Sequence, residues 1–317
     1  MALWPETQAR KSTVWRWGLL PGTNDSEKIV VRAIVFSMCV IGCLLIEYKA
    51  SFASEALNVG TNQRGLEMRV GYQGAQLSYK ESIQGAVADK DTGWLNGGFF
   101  ELRGDNRVMF TRFTLDFTLS NSAKYTGSIQ NGGILTPTTM VTRDEFYKTE
   151  MNIGAKVLNY RTFTLAPYAG IGYRYWIRGQ NSLPDYQEDY SWWYAAAGAN
   201  LAFRHAGILL SLDAAAIVPF SLAMKTSISG TVDDLTFRIR SEPGFRVDAP
   251  ARFDLVNRRE AGIFLFVTPF YELWNVGASD AVTLTSGGVP IRPLTNAFEP
   301  RSSTAIYGLR TGLGINF

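Results

Sequence analysis

The chain has 317 residues, a formal net charge of +3 and one histidine. That balance excludes a nucleic-acid binder driven by a strong basic field, and a lone histidine removes most His-dependent catalytic centres. Mean hydropathy is −0.03, too polar for a bundle of membrane helices but ordinary for a chain in which only alternate residues meet lipid.

Residues 33–46, AIVFSMCVIGCLLI, form an apolar run preceded by Lys28 and Arg32. The run is short for a transmembrane helix and right for the hydrophobic region of an export signal. Small residues at Ser51 and Ala53 place cleavage after Ala53, giving a signal segment 1–53 and a mature domain 54–317. A lipidated Cys43, after Val40-Ile41-Gly42, and a retained helical anchor are the alternatives. Cleavage would remove both cysteines, Cys39 and Cys43, so a disulfide framework or thiolate zinc site is not expected. It would also remove six basic and four acidic residues, leaving a nearly neutral mature chain.

From residue 64 onward the period is two, the strand period. Segment 66–79 carries Leu66, Met68, Val70 and Tyr72 on one face and changes phase near Gly74, which predicts a bulge. Segment 94–102 alternates least. In 109–119, Met109, Thr111, Phe113, Leu115, Phe117 and Leu119 oppose Phe110, Arg112, Thr114, Asp116 and Thr118. In 147–157, Tyr147, Met151, Ile153 and Val157 oppose Lys148, Glu150, Asn152 and Lys156. Segments 163–176, 190–203 and 207–218 follow, then 245–255, with Phe245, Val247, Phe253 and Leu255 against Arg246, Asp248, Arg252 and Asp254. Segments 262–274 and 304–317 complete ten predicted strands, with eight as the alternative count.

The connections alternate in length. Residues 103–107, 158–162, 203–207 and 256–261 are short; 80–93, 120–145, 177–189, 219–244 and 275–303 are long. This predicts a closed, all-β, antiparallel up-and-down transmembrane barrel with short periplasmic turns, long outer loops and both mature termini at the periplasmic end. Aromatic residues gather near strand ends, including Tyr173, Trp193, Tyr271 and Trp274, as expected of rings at a lipid–water interface.

The last strand ends Arg310-Thr311-Gly312-Leu313-Gly314-Ile315-Asn316-Phe317. Arg310, Gly312, Ile315 and Phe317 match the C-terminal assembly signal of bacterial outer-membrane barrels position by position, and the chain resembles the porin-like group of that class. The resemblance implies outer-membrane lipid as the surrounding medium and the barrel-assembly machinery as a partner of the last strand.

The polar faces define the candidate site. The predicted lumen-facing charges are Glu67 and Arg69; Arg112 and Asp116; Lys148, Glu150 and Lys156; Arg174 and Asp213; Arg246, Asp248, Arg252 and Asp254; and Glu272 and Arg310. Both signs are nearly balanced. An ion-pair lattice filling a narrow barrel is the favoured reading, with a small polar channel as the alternative; strong ion selectivity would need rings of one sign. The long loops are candidate recognition surfaces for an extracellular ligand. Ten-stranded barrels include the omptin proteases, whose chemistry needs an Asp–His pair and a second Asp pair at the outer rim. Here His205 falls in a predicted periplasmic turn, so no catalytic residues are expected. No cofactor is expected either. Asp233-Asp234 alone is too few oxygens for calcium, and no metal site is expected.

Overall fold

The computed structural model describes residues 65–317 except 84, 132–133, 161, 181–182, 229–231, 258–260 and 292–295. The predicted signal segment and its cleavage site lie outside the described residues. Ten long strands run up and down: β1 Gly65–Ile83, β2 Ala86–Asp105, β3 Met109–Asn131, β4 Ile134–Ala155, β5 Phe163–Gln180, β6 Leu183–His205, β7 Ile208–Ile228, β8 Leu235–Asp248 continued by Ala251–Asn257, β9 Gly262–Ser279 and β10 Arg301–Asn316. Each pairs antiparallel with its neighbours, and β10 returns to β1 in register from Glu67 with Asn316 to Ser82 with Arg301. The sheet is therefore closed, so no edge is left unpaired in a medium without water.

Outward side chains make an apolar belt that includes Val70, Ile153, Ile171, Leu210, Leu212, Leu265 and Leu313, all substantially exposed. Rings edge the belt on its upper side: Phe117 against Tyr147, Tyr173 against Trp193, and Phe245, Tyr271 and Tyr307 in a stacked row. Between β1 and β2, Tyr72 and the indole N–H of Trp94 both donate to Asn96 Oδ1. This is how an amphipathic ring settles at a headgroup boundary.

Two expectations are corrected. The predicted long loops are mostly strand. The upper hairpins turn at Ile83–Ala86, between Asn131 and Ile134 and between Gln180 and Leu183, so the barrel wall continues well above the girdle. The β7–β8 connection shortens to residues 229–234, while the β9–β10 connection remains long and carries short pairings of Val282–Thr283 with Asn296–Ala297 and Thr285–Ser286 with Val289–Pro290. Nor is there a bulge at Gly74. The β1–β10 register is continuous through it, and the β1–β2 shift falls at Glu81/Ser82. The apolar residues change face because the surroundings invert. Below the girdle the outside meets lipid and the inside is polar; above it the outside meets water, and Ala75, Leu77 and Tyr79 turn into the core. Real shifts occur higher up, at Ser120/Ala123 and Ser191/Trp193.

At the lower end the β6–β7 turn is a two-residue hairpin. Ala206 and Gly207 both have positive φ, 46° and 80°, the conformation whose twist matches the flanking strands. Glycine adopts it freely, and Ala206 adopts it at a cost. His205 sits beside this turn, exposed and paired in register with Ile208.

Candidate functional site in the barrel lumen

The lower lumen is a lattice of buried charge. Arg246 donates through Nη1 and Nη2 to the two carboxylate oxygens of Glu150, which also accepts from Tyr194 and Asn152. Arg112 reaches Asp213 at 2.8 Å, and Tyr168 donates to the same carboxylate. Lys148 lies between Asp116 and Glu272. Arg310 donates to Asp248 at 2.8 Å and Gln73 at 2.7 Å and lies 3.5 Å from Glu272. Nearer the mouth, Arg252 bridges Glu67 and Asp254, Arg69 joins Glu67 and Glu101, and Lys156 pairs with Asp105. These partners come from different strands brought around the wall, so buried charges are matched rather than stranded. A cavity of about 980 Å³ runs through this layer and is lined by Asn106, Asn159 and the C-terminal Phe317, placing its mouth at the end that carries the short lower turns.

Of the predicted lumen charges, Arg174 stands apart. It is almost fully buried, and its guanidinium stacks over Phe146, Trp192 and Trp274 at 4.9, 5.2 and 4.6 Å from the ring centroids. Its Nη atoms have no hydrogen-bond acceptor among the described residues. Cation–π attraction supplies part of what hydrogen bonding would otherwise give.

Arg174 marks the floor of a second layer that sequence reasoning missed. Here the lumen holds a packed apolar core. Trp176 stacks between Phe146 and Tyr190 and meets Tyr79 edge-on. Trp274 packs edge-on against Trp192 and Tyr194, and Leu77, Leu95, Ile217, Leu222 and Phe237 fill the spaces between. Val282, Leu284 and Ala297 from the β9–β10 connection pack on this core.

Among these residues lies an acidic cluster, also missed. Arg178 lies 3.0 Å from Glu188 and 3.5 Å from both Glu81 and Asp91, while Asp144 accepts from the Trp176 indole. Glu299 enters from the β9–β10 connection: Tyr190 donates to its carboxylate at 2.7 Å, and its backbone pairs with Ser279. Burial, with the Glu81 and Glu188 carboxylates nearby, pushes the Glu299 carboxyl well above the usual range. The signal that could have found these residues is the period-two pattern carried on through the supposed loops with its polarity reversed.

Asp233 and Asp234 serve the loops. Asp233 accepts from Thr285 Oγ1 and from the backbone N–H groups of Gly287 and Gly288 at 2.7–3.0 Å, stapling the β7–β8 connection to the β9–β10 connection. The Thr285 bond, then those of Gly288 and Gly287, hold its carboxyl below the usual range. Asp234 pairs with Lys225. Gly312 of the C-terminal pattern faces Gly71 across the β1–β10 seam, and a Cβ on either would fall inside contact distance of the opposite backbone. Ile315 and Phe317 point outward, and Phe317 exchanges backbone hydrogen bonds with Leu66.

A closed ten-stranded antiparallel wall with an apolar exterior, an aromatic girdle and a polar lower lumen defines the class: this is an outer-membrane β-barrel protein. No protein-family model and no curated protein matches the chain. Among solved structures it is similar to the outer membrane protease OmpT from Escherichia coli, at 11% identity and a TM-score of 0.55, over 83% of this chain and 99% of that one. It also matches the translocator domain of the autotransporter NalP from Neisseria meningitidis, at 9% identity and a TM-score of 0.37, over 89% and 97% of the two chains. A third match is the attachment protein Ail of Yersinia pestis, at 9% identity and a TM-score of 0.27, over 78% and 97%. The first of these shares the fold; the other two carry no further argument.

Proposed function

We propose that this protein is a non-enzymatic, non-conducting barrel that presents its extracellular extension as a recognition surface. The observation that carries the reading is the filled upper lumen. Trp176, Tyr190, Trp192, Tyr194 and Trp274 are each at most 3% exposed, and the β9–β10 connection packs over them. The wide polar space beneath therefore ends blindly at Arg174. A passive channel for small polar solutes is the alternative, and it requires this aromatic layer to part. The non-enzymatic reading draws support from His205 at the opposite end of the barrel from the acidic cluster.

The test is conductance of the full mature chain in planar bilayers. Silence is expected from the wild type, and current steps from the double variant Trp192→Ala, Trp274→Ala, which opens a gap in the layer above Arg174. Stable steps in the wild type would overturn the reading in favour of the channel. Exchange of residues 280–300 for a Gly/Ser segment is expected to abolish surface recognition while the barrel stays silent.

A further inference from the structure

Above the girdle the outer surface is not uniform in charge. On the β7–β9 side Lys225 faces Asp189 across strands and pairs with Asp234, and Arg240 pairs with Asp280, which leaves Arg238 as the single exposed base there without an ion pair among the described residues. On the β1–β3 side this compensation is missing. Lys80 and Lys90 lie directly opposite one another in the β1–β2 register. Lys124 on β3 faces Thr92, two residues from Lys90, so it lies diagonal to Lys90 on the same face. All three are exposed. No carboxylate lies within ion-pair distance of any of them among the described residues; Glu81 and Asp91 beside them are buried inside, on Arg178. Arg301 and Arg143 flank the patch, each holding one acid, Glu242 and Glu145.

Like charges placed directly opposite on a sheet are destabilising, so this arrangement calls for an anion from outside the chain. Its height says which kind. Lys90 lies four residues above the outward Trp94, and Lys80 lies four above Gln76, the register partner of Trp94. Four strand residues span roughly 13 Å before tilt, and a lysine side chain reaches back down toward the ring. The ammonium groups thus stand beside the headgroup layer that starts at the Tyr72–Trp94–Asn96 cluster.

We infer that Lys80, Lys90 and Lys124 form a docking surface for phosphate-bearing lipid headgroups of the surrounding outer leaflet. The geometry suits point-charge contacts to phosphate oxygens spread over three strands. Nothing in this inference depends on whether the lumen conducts.

The experiment titrates the detergent-purified mature chain with a bisphosphorylated glycolipid or its dephosphorylated form and counts retained lipids by native mass spectrometry. The phosphorylated lipid is expected to be retained in preference. The triple variant Lys80→Gln, Lys90→Gln, Lys124→Gln is expected to bind it on the order of a hundredfold more weakly. The control Lys225→Gln, Arg240→Gln is expected to stay within about twofold of wild type, because those bases already have acids. Equal retention of the two lipids, or unchanged binding by the triple variant, would overturn the assignment. So would displacement of the lipid by inorganic phosphate at equal concentration, which would mark a site for the free anion. All five positions are exposed on the wall, and a heat-modifiable gel shift verifies that each variant is folded.

Discussion

The two halves of this barrel are built on opposite rules. Below the girdle it is inside-out, with Ile153 and Leu265 facing lipid and Glu150 and Arg246 facing each other within. Above the girdle it resembles a soluble β-barrel, with Trp176 and Leu77 inside and Lys80 and Lys90 outside. One continuous set of strands makes both, because a strand only specifies that successive side chains point to opposite faces. The solvent on each side decides which face becomes apolar.

Substitutions distinguish the halves, and the largest effects belong to the interior. Trp274→Ala in the upper core should cost ~3–5 kcal/mol by removing a packed ring, read by guanidinium unfolding in vesicles, and this loss should not depend on lipid thickness. Arg246→Ala in the lower half should cost a similar ~3–5 kcal/mol by stranding Glu150, whereas an apolar replacement of both partners should recover most of it. If the double variant is no better than the single, the lattice is not organised around that pair.

On the lower exterior, Ile153→Arg should cost ~2–4 kcal/mol near the bilayer midplane, and Thr114→Arg clearly less. Equal losses would contradict the assigned facing. Asn152→Arg, although also on the lumen face, should not be mild: Asn152 is buried and bonded to Glu150, so an arginine there overfills the lattice.

The smallest effect is at the Glu299 contact. Its carboxyl is raised in the folded state, so the folded form holds the proton more tightly than the released loop does. The contact is therefore fully favoured below the ordinary carboxylate pKa and weakens as pH rises through the raised one. Proteolysis of residues 280–300 should accelerate over that rise, and Glu299→Gln should flatten the profile. An unchanged profile in the variant would assign the dependence to another group.

The lower half was legible in the sequence because lipid outside and charge inside give a clean alternation, as in residues 147–157. The strand count, the lower turns and the face of each lumen charge follow from it. The upper half was not. Residues such as Ser78, Thr92, Thr126 and Ser303 are polar, and their outward position on a water-exposed strand looks, residue by residue, like loop composition. Pairing across the barrel was also hidden: nothing near Arg178 in sequence announces Glu81 or Asp91, which reach it only once the wall closes. The C-terminal pattern was visible, but the reason for its glycine was not, since that depends on Gly71.

That facing pair of glycines has a consequence for how the cylinder shuts. The first and last strands meet along a long ladder on which sliding by two residues keeps every side chain on its proper face, so alternation alone cannot select the correct alignment. A slide by two residues either way separates Gly312 from Gly71 and sets it against Arg69 or Gln73. The paired absence of two side chains is thus a local mark of the native alignment, where the two backbones cross with no room for a Cβ on either glycine.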